Sequence, residues 1–186
     1  MSVALANYAA SGLGEKTACV ELSGHGELKK WKEAGTAGYF SDHQVCYYPD
    51  FPREKIPILL NQGYETVILD FGEAYERYRE EILRCHRKIF LLNLNPWQKS
   101  AAEKMIGTVQ GENWGKIQPY YASVLAGTTE KKAVEKEFKI HIDAVPIIKN
   151  PRCVEAELFS YMDHALDRTD FATAKKKRLI PIKRKR

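Results

Sequence analysis

The sequence predicts an α/β protein built on an open, doubly wound, mostly parallel sheet with helices on both faces. Three observations carry that expectation. From residue 17 onward, short β-branched or apolar runs alternate with segments of helical period, the order of successive strand–helix units. Ile68-Leu69 and Phe90-Leu91-Leu92 are continuous apolar runs rather than alternating ones, as in parallel strands covered on both faces. Pro52 and Pro96 fall where the following helices should begin, a place that suits proline's fixed φ and missing N–H.

The elements follow in order. Met1 to Ala10 reads as the body of an apolar helix over 1–11, and Gly12 and Gly14 suit its end, since glycine accepts the left-handed conformation there. The run Thr17-Ala18-Cys19-Val20-Glu21-Leu22 gives a strand over 17–22. Further strands are predicted over 44–48, 66–71, 88–94, 122–126 and 140–145, and helices over 27–34, 52–62, 75–85, 96–107, 130–138 and 154–166. No internal repeat is visible.

At 186 residues, 44% hydrophobic and 28% charged, the chain has the length and balance of one globular domain rather than a disordered segment. We expect that domain over 1–170 and a basic tail over 171–186. The net charge of +5 comes from the tail, where Lys175, Lys176, Lys177, Arg178, Lys183, Arg184, Lys185 and Arg186 supply eight positive charges; without them residues 1–174 carry −3. Clustered Lys and Arg bind nucleic acid by releasing counterions, or adsorb to anionic lipid at about 1 kcal/mol per residue. A solvated tail with no dedicated partner is the third reading. Pro181 breaks a continuous amphipathic helix there, and the tail holds no aromatic residue to stack on bases. No apolar run approaches the roughly 20 residues of a membrane span, and the N-terminus lacks a basic region with a cleavage-like site. A cytoplasmic protein is expected, peripheral to the inner face of the membrane if the tail binds lipid. Cys19, Cys46, Cys85 and Cys153 form no CxxC pair, so reduced, mostly buried thiols are expected.

In such sheets ligands gather beyond the carboxyl ends of the strands. The turns there are Ser23-Gly24-His25-Gly26, Phe71-Gly72, Leu94-Asn95, Gly127-Thr128 and Pro146-Ile147. Glycine permits close backbone approach, though short strand-to-helix turns use it anyway. Asp70 ends a hydrophobic strand, where an acid is costly unless it meets water, a donor or a metal. Two roles are open to it: a ligand-directed carboxylate, or an aspartate exposed at the sheet edge that starts the next turn. Gly12-Leu13-Gly14-Glu15-Lys16-Thr17 imitates a phosphate-binding loop, but it runs from helix to strand, and Glu15 occupies the required glycine position. Asp70-Phe71-Gly72 spells a kinase motif without the kinase's other motifs. His25, His43, His86, His141 and His164 form no HExxH pair, and His141 with Asp143 makes only two residues of a metal set.

Ala4-Leu5-Ala6-Asn7-Tyr8, Lys16 to Leu22 and Thr66-Val67-Ile68-Leu69-Asp70-Phe71-Gly72 together resemble the ParA/MinD-type deviant P-loop ATPases of the SIMIBI class. The similarity is to divergent members found beside pilus-assembly genes. Lys88 to Trp97 resembles the strand and proline-led helix after the family's Walker B strand, and Val145-Pro146-Ile147-Ile148 its late strand end; the likeness spans residues 3–166. The resemblance implies a nucleotide-binding fold used in positioning or assembly, a nucleotide-linked homodimer, and Mg-ATP as cofactor if a phosphate-binding loop lies upstream. By the same resemblance Asp70 matches the Walker B aspartate that holds Mg²⁺, and Glu21, Ser23 and Gly72 fall at the nucleotide site. Glu21 matches the first acid of the family's D-x-D. Ser23 stands where the second would position the attacking water, and a serine cannot act as that general base. Ala126-Gly127-Thr128 replaces the adenine-contacting asparagine.

No counterpart of the phosphate-binding loop precedes Val3. In the family that loop follows an interior strand, so its absence would leave two strands unpaired, at about 1–3 kcal/mol per buried group. An upstream start, a sheet closed around the gap, or a strand from another chain would each resolve this, and the first is favoured. The expectation is a ParA/MinD-like positioning or assembly protein inactive in ATP hydrolysis. The alternative is a non-enzymatic adaptor whose domain docks a protein while its tail holds an anionic surface. A third reading is a small-molecule enzyme using Asp70 and His25.

Overall fold

The structure is a computed structural model that describes residues 1–32, 37–124 and 126–168. The basic tail, Lys175 to Arg186, and the end of the helix expected over 27–34 therefore lie outside the described residues. The chain divides into two compact units, one of residues 1–82 and 148–162, the other of residues 83–147 and 163 onward.

The first unit begins with helix α1 (Ser2–Asn7), which widens into a π turn over Tyr8–Gly12. Leu13 N–H donates to Tyr8 O at 3.2 Å. Gly12 is required there, because a Cβ would stand 2.6 Å from the Tyr8 ring. Gly14 then turns the chain at φ 75° into strand β1 (Thr17–Glu21). This is the helix-to-strand connection expected of Gly12 to Thr17, and Lys16 is spent on it: its Nζ donates to Gln62 O at 3.1 Å.

β1 is buried along its whole length because it is central. The strand order is β2-β3-β1-β4, with β2 (Phe40–Asp42), β3 (Val45–Tyr48) and β4 (Thr66–Asp70). β3 and β4 flank β1 in parallel, pairing Thr17 with Val45 and with Thr66. β2 runs antiparallel to β3. It was not expected from the sequence, since the hairpin turns on His43 (φ 45°) and Gln44 (φ 68°) instead of the usual Asn-Gly. Helix α2 (Glu27–Trp31) follows β1, and a 3₁₀ turn after Pro52 leads into α3 (Ile56–Leu60).

α1 packs on β1 and β4. Ala6, Ala10, Cys19, Leu28, Phe40, Val45 and Tyr47 form a core cluster with Trp31 and Ile68 against it. Buried Asn7 is fixed by Val3 O at 2.9 Å, the Tyr47 hydroxyl at 2.7 Å and Pro151 O at 3.2 Å.

The second unit holds three parallel strands in the order β5-β6-β7: β5 (Ile89–Asn93), β6 (Tyr120–Val124) and β7 (Ile142–Ala144). Helix α5 (Lys99–Gln110) buries Ala102, Ile106 and Val109, the i, i+4, i+7 stripe of an amphipathic helix. α6 (Thr128–Phe138) starts from Gly127. Two short helices cross the division between the units in sequence: α4 (Arg79–Arg84) and α7 (Phe159–Ala165).

Parallel sheets flanked by helices are the expected fold class. Several details depart from expectation. The sheet comes as four strands and three, not one continuous set. Ile68-Leu69 and Phe90-Leu91-Leu92 were read as covered on both faces, yet the cover is partial; among the described residues β4 and β5 each pair with one strand. Ile68 and Leu69 are half-buried, and Leu91 is 46% exposed. β6 lies two residues earlier than expected, because Tyr120 and Tyr121 supply the burial. Of the cysteines only Cys19 is buried, and Cys153 is exposed.

Candidate functional site

Glu21 and Asp70 end neighbouring strands at the same register position, so their carboxylates leave the sheet together. Glu21 is only 3% exposed, and such a carboxylate needs donors. It finds them by turning onto the start of α2: Oε1 accepts the Glu27 N–H at 2.7 Å and Oε2 the Leu28 N–H at 3.1 Å. These amides have no partner inside the helix, and the helix dipole favours the anion. Gly24 (φ 75°) and Gly26 (φ 66°) let the loop double back that far. Ser23 Oγ donates to Glu21 Oε1 at 3.3 Å and accepts the His25 N–H at 3.3 Å.

Asp70 is half-buried, and its Oδ1 accepts the Gly72 N–H at 3.0 Å. It thus starts its own turn at an edge strand, and it also opens onto a cavity. Gly72 sits at φ 55°, and a Cβ on it would lie 2.6 Å from Ser23 Cβ. The loops after β1 and β4 therefore touch where neither residue can grow.

The structure brings Glu21, Ser23, Asp70 and Gly72, the four expected site residues of the domain, around one cavity of about 160 Å³. His25 and Glu27 line it too, so His25 and Asp70 face the same cavity. Among the described residues the lining holds three carboxylates and no lysine or arginine. Ligand pockets run to about 300–1,000 Å³, and a polyphosphate needs cations or converging amides, whereas here the α2 amides already serve Glu21. Beside the cavity, burial first and the negative charge of Asp70 second push the Cys19 thiol up to about 12.

The second unit holds a constellation that sequence reading missed. Asp143 Oδ1 lies 3.0 Å from His141 Nε2, and its Oδ2 lies 3.2 Å from His164 Nε2. Glu135 Oε1 stands 3.2 Å from His141 Nδ1. Burial alone would raise the Asp143 pKa, but hydrogen bonds from Tyr120 and His141 and the two imidazoles outweigh it and lower it. The group borders a cavity of about 540 Å³ with Trp114 and Tyr121. His141 and Asp143 were legible as a pair, whereas His164 arrives from α7, 21 positions after Asp143. Among the described residues, no group of three or more His, Cys, Asp or Glu side chains could hold a metal ion, and no helix is long and apolar enough to cross a membrane.

No family model and no curated protein matches the sequence. Solved structures do. The chain is similar to the MinD cell division protein of Aquifex aeolicus at 15% identity and a TM-score of 0.50, over 98% of this chain and 94% of that one. It is similar, at 14% identity and the same TM-score, to a chain of the Aquifex aeolicus MinC:MinD cell division protein complex, over 98% of this chain and 93% of that one. The likeness is one of fold: this chain shares the α/β fold of the MinD cell division protein.

Proposed function

We propose that this chain is a ParA/MinD-like positioning or assembly protein of the cytoplasm that does not bind or hydrolyse ATP in the manner of that fold. The observation that carries the reading is the lining at the ends of β1 and β4. Three carboxylates and one histidine surround a cavity of about 160 Å³, and the Glu21 carboxylate is consumed by α2. Such a lining repels a triphosphate and is too small to enclose one. Isothermal titration of the chain with Mg-ATP tests it. No heat of binding is expected, and a micromolar dissociation constant refutes the reading.

With catalysis set aside, the work of the protein is docking. A neighbour of this fold occurs in a complex of two cell division proteins, which supports a protein partner. The eight positive charges of residues 175–186 support a second contact, with an anionic membrane or nucleic acid. Deleting residues 175–186 discriminates the two contacts. Binding to anionic vesicles or to duplex DNA that survives the deletion removes the tail from the proposal.

A further inference from the structure

The cavity of about 540 Å³ is built by the second unit alone, at the amino ends of β6 and β7. It shares no residue with the lining at the ends of β1 and β4. Its volume falls among those of small-molecule sites, about 300–1,000 Å³. α5 and α6 both end at it, through Gln110 and Lys139. Helix C-termini carry partial negative charge, which disfavours an anion such as phosphate.

A cation is not called for either, because the charges around the cavity are matched to one another. His141 meets Glu135 and Asp143 on its two ring nitrogens, and His164 takes the other Asp143 oxygen. Lys131 lies 3.8 Å from Glu135. Arg87 stands 4.6 Å from the centre of the Tyr120 ring and donates to Ala165 O at 2.9 Å. Lys139 is exposed at the α6 end, where the dipole favours it. Walls balanced in this way suit an uncharged ligand. One buried group still wants a partner. Tyr121 is 6% exposed and lines the cavity, yet among the described residues its hydroxyl makes no hydrogen bond. Such a group is expensive to leave unpaired. Burial alone pushes it up to about 12, so at neutral pH it is a neutral donor and acceptor.

The aromatic walls narrow the class further. Phe90 is tilted 66° to the Trp114 ring and 33° to the Tyr121 ring. Trp114 and Tyr121 are therefore not parallel and form no slot for a flat heteroaromatic ring, whereas a puckered ring needs one aromatic plane. The Gly115 turn (φ 60°) fixes two amides beside them: Asn113 Oδ1 accepts the Gly115 N–H at 3.1 Å, and Gln118 Nε2 donates to Gly115 O at 3.1 Å. That leaves the Asn113 NH₂ as a donor and the Gln118 carbonyl as an acceptor. His164, with Nε2 on Asp143, keeps Nδ1. Donors and acceptors mixed around an aromatic plane match hydroxyls, which both donate and accept. We propose that this cavity binds a neutral pyranose sugar, its C–H face against Trp114 and one of its hydroxyls on the Tyr121 hydroxyl.

The full chain is titrated with glucose, galactose, mannose and N-acetylglucosamine, each followed by proton–nitrogen correlation NMR. At least one sugar should shift the amides of Trp114, Tyr121 and His164 saturably, with a millimolar dissociation constant, while those of Glu21 and Asp70 stay in place. Tyr121→Phe removes only the hydroxyl and should weaken binding about fivefold, the loss expected of one hydrogen bond. If that variant loses secondary structure, Gln118→Ala takes its place, since Gln118 lies exposed on the rim. Adenosine and tetramethylammonium are titrated beside the sugars, to represent the flat heterocycle and the organic cation. Three results overturn the proposal: no saturable shift with any of the four sugars, tighter binding of adenosine or tetramethylammonium than of every sugar, or an affinity unchanged in the folded variant. Failure here leaves the preceding reading standing, and Mg-ATP binding, which refutes that reading, leaves this one standing.

Discussion

Glu21 and Asp70 stand opposite one another in the parallel register of β1 and β4, yet their carboxylates do different work. Glu21 closes the first turn of α2 across the sheet end, through two backbone N–H groups. Asp70 closes only its own turn, at Gly72. The difference sets their stability contributions. Glu21→Ala strips a buried charged acceptor from two helix amides and should cost about 3 kcal/mol. Asp70→Ala loses one local bond at a half-open edge and should cost about 1 kcal/mol or less. Urea unfolding at neutral pH measures both. Equal losses would show that Glu21 is not the strut described.

Gly72 and Ser23 make a second pair whose effects should not add. Gly72→Ala meets two obstacles, a φ of 55° and a Cβ 2.6 Å from Ser23 Cβ. The first costs about 1 kcal/mol; the second forces the β1 loop to move. Ser23→Gly removes the atom in the way, so the double variant should recover the steric part and keep the backbone part. A double-mutant cycle on unfolding free energies should give a favourable coupling of about 1 kcal/mol. Strict additivity would mean that the two loops do not touch in solution.

Much of this architecture was legible because its signals are local. β1, β4 and β5 announced themselves by apolar runs, and the helix expected over 96–107 by Pro96, although α5 starts at Lys99 and runs on to Gln110. The β2–β3 hairpin was not legible, because His43 and Gln44 adopt positive φ without the residues that usually advertise it. The division of the sheet was not legible either. An apolar strand such as Thr66–Asp70 records the neighbours it is suited to, not the neighbours the chain supplies. At the site, Ser23, Asp70 and Gly72 could be chosen from their places at strand ends, and Glu21 from the family resemblance. That Glu21 would be consumed by α2 depends on the path through Gly24 and Gly26, which only the folded loop fixes. His164 reaches Asp143 through tertiary structure alone.

The four thiols should separate by reactivity. Burial, with the nearby charge of Asp70 behind it, raises Cys19 to about 12, so almost no thiolate exists at neutral pH, and thiolate is the reactive form. Cys153 is exposed. Labelling the folded chain with a thiol-reactive disulfide at pH 8 should show a fast phase that Cys153→Ser removes. Cys19 should react only in denaturant. Rapid labelling of Cys19 in the folded chain would contradict the packing of α1 on β1.

The Asp143 cluster gives a pH dependence of definite sign. The folded-state pKa of Asp143 is lowered, below an unfolded value of about 3.9. A depressed carboxylate contributes stability that is fully present above the unfolded pKa and lost as pH falls through the folded one. Unfolding free energy should therefore drop as pH falls below about 4, and Asp143→Asn should flatten that part of the profile while lowering stability at pH 7. His141→Gln should act in the same direction and less strongly, since it removes one of the two imidazoles at the carboxylate and leaves His164 in place. Urea midpoints from pH 2.5 to 7 for the three proteins provide the measurement. A slope below pH 4 that is unchanged in Asp143→Asn would mean that the acid sensitivity originates elsewhere in the chain.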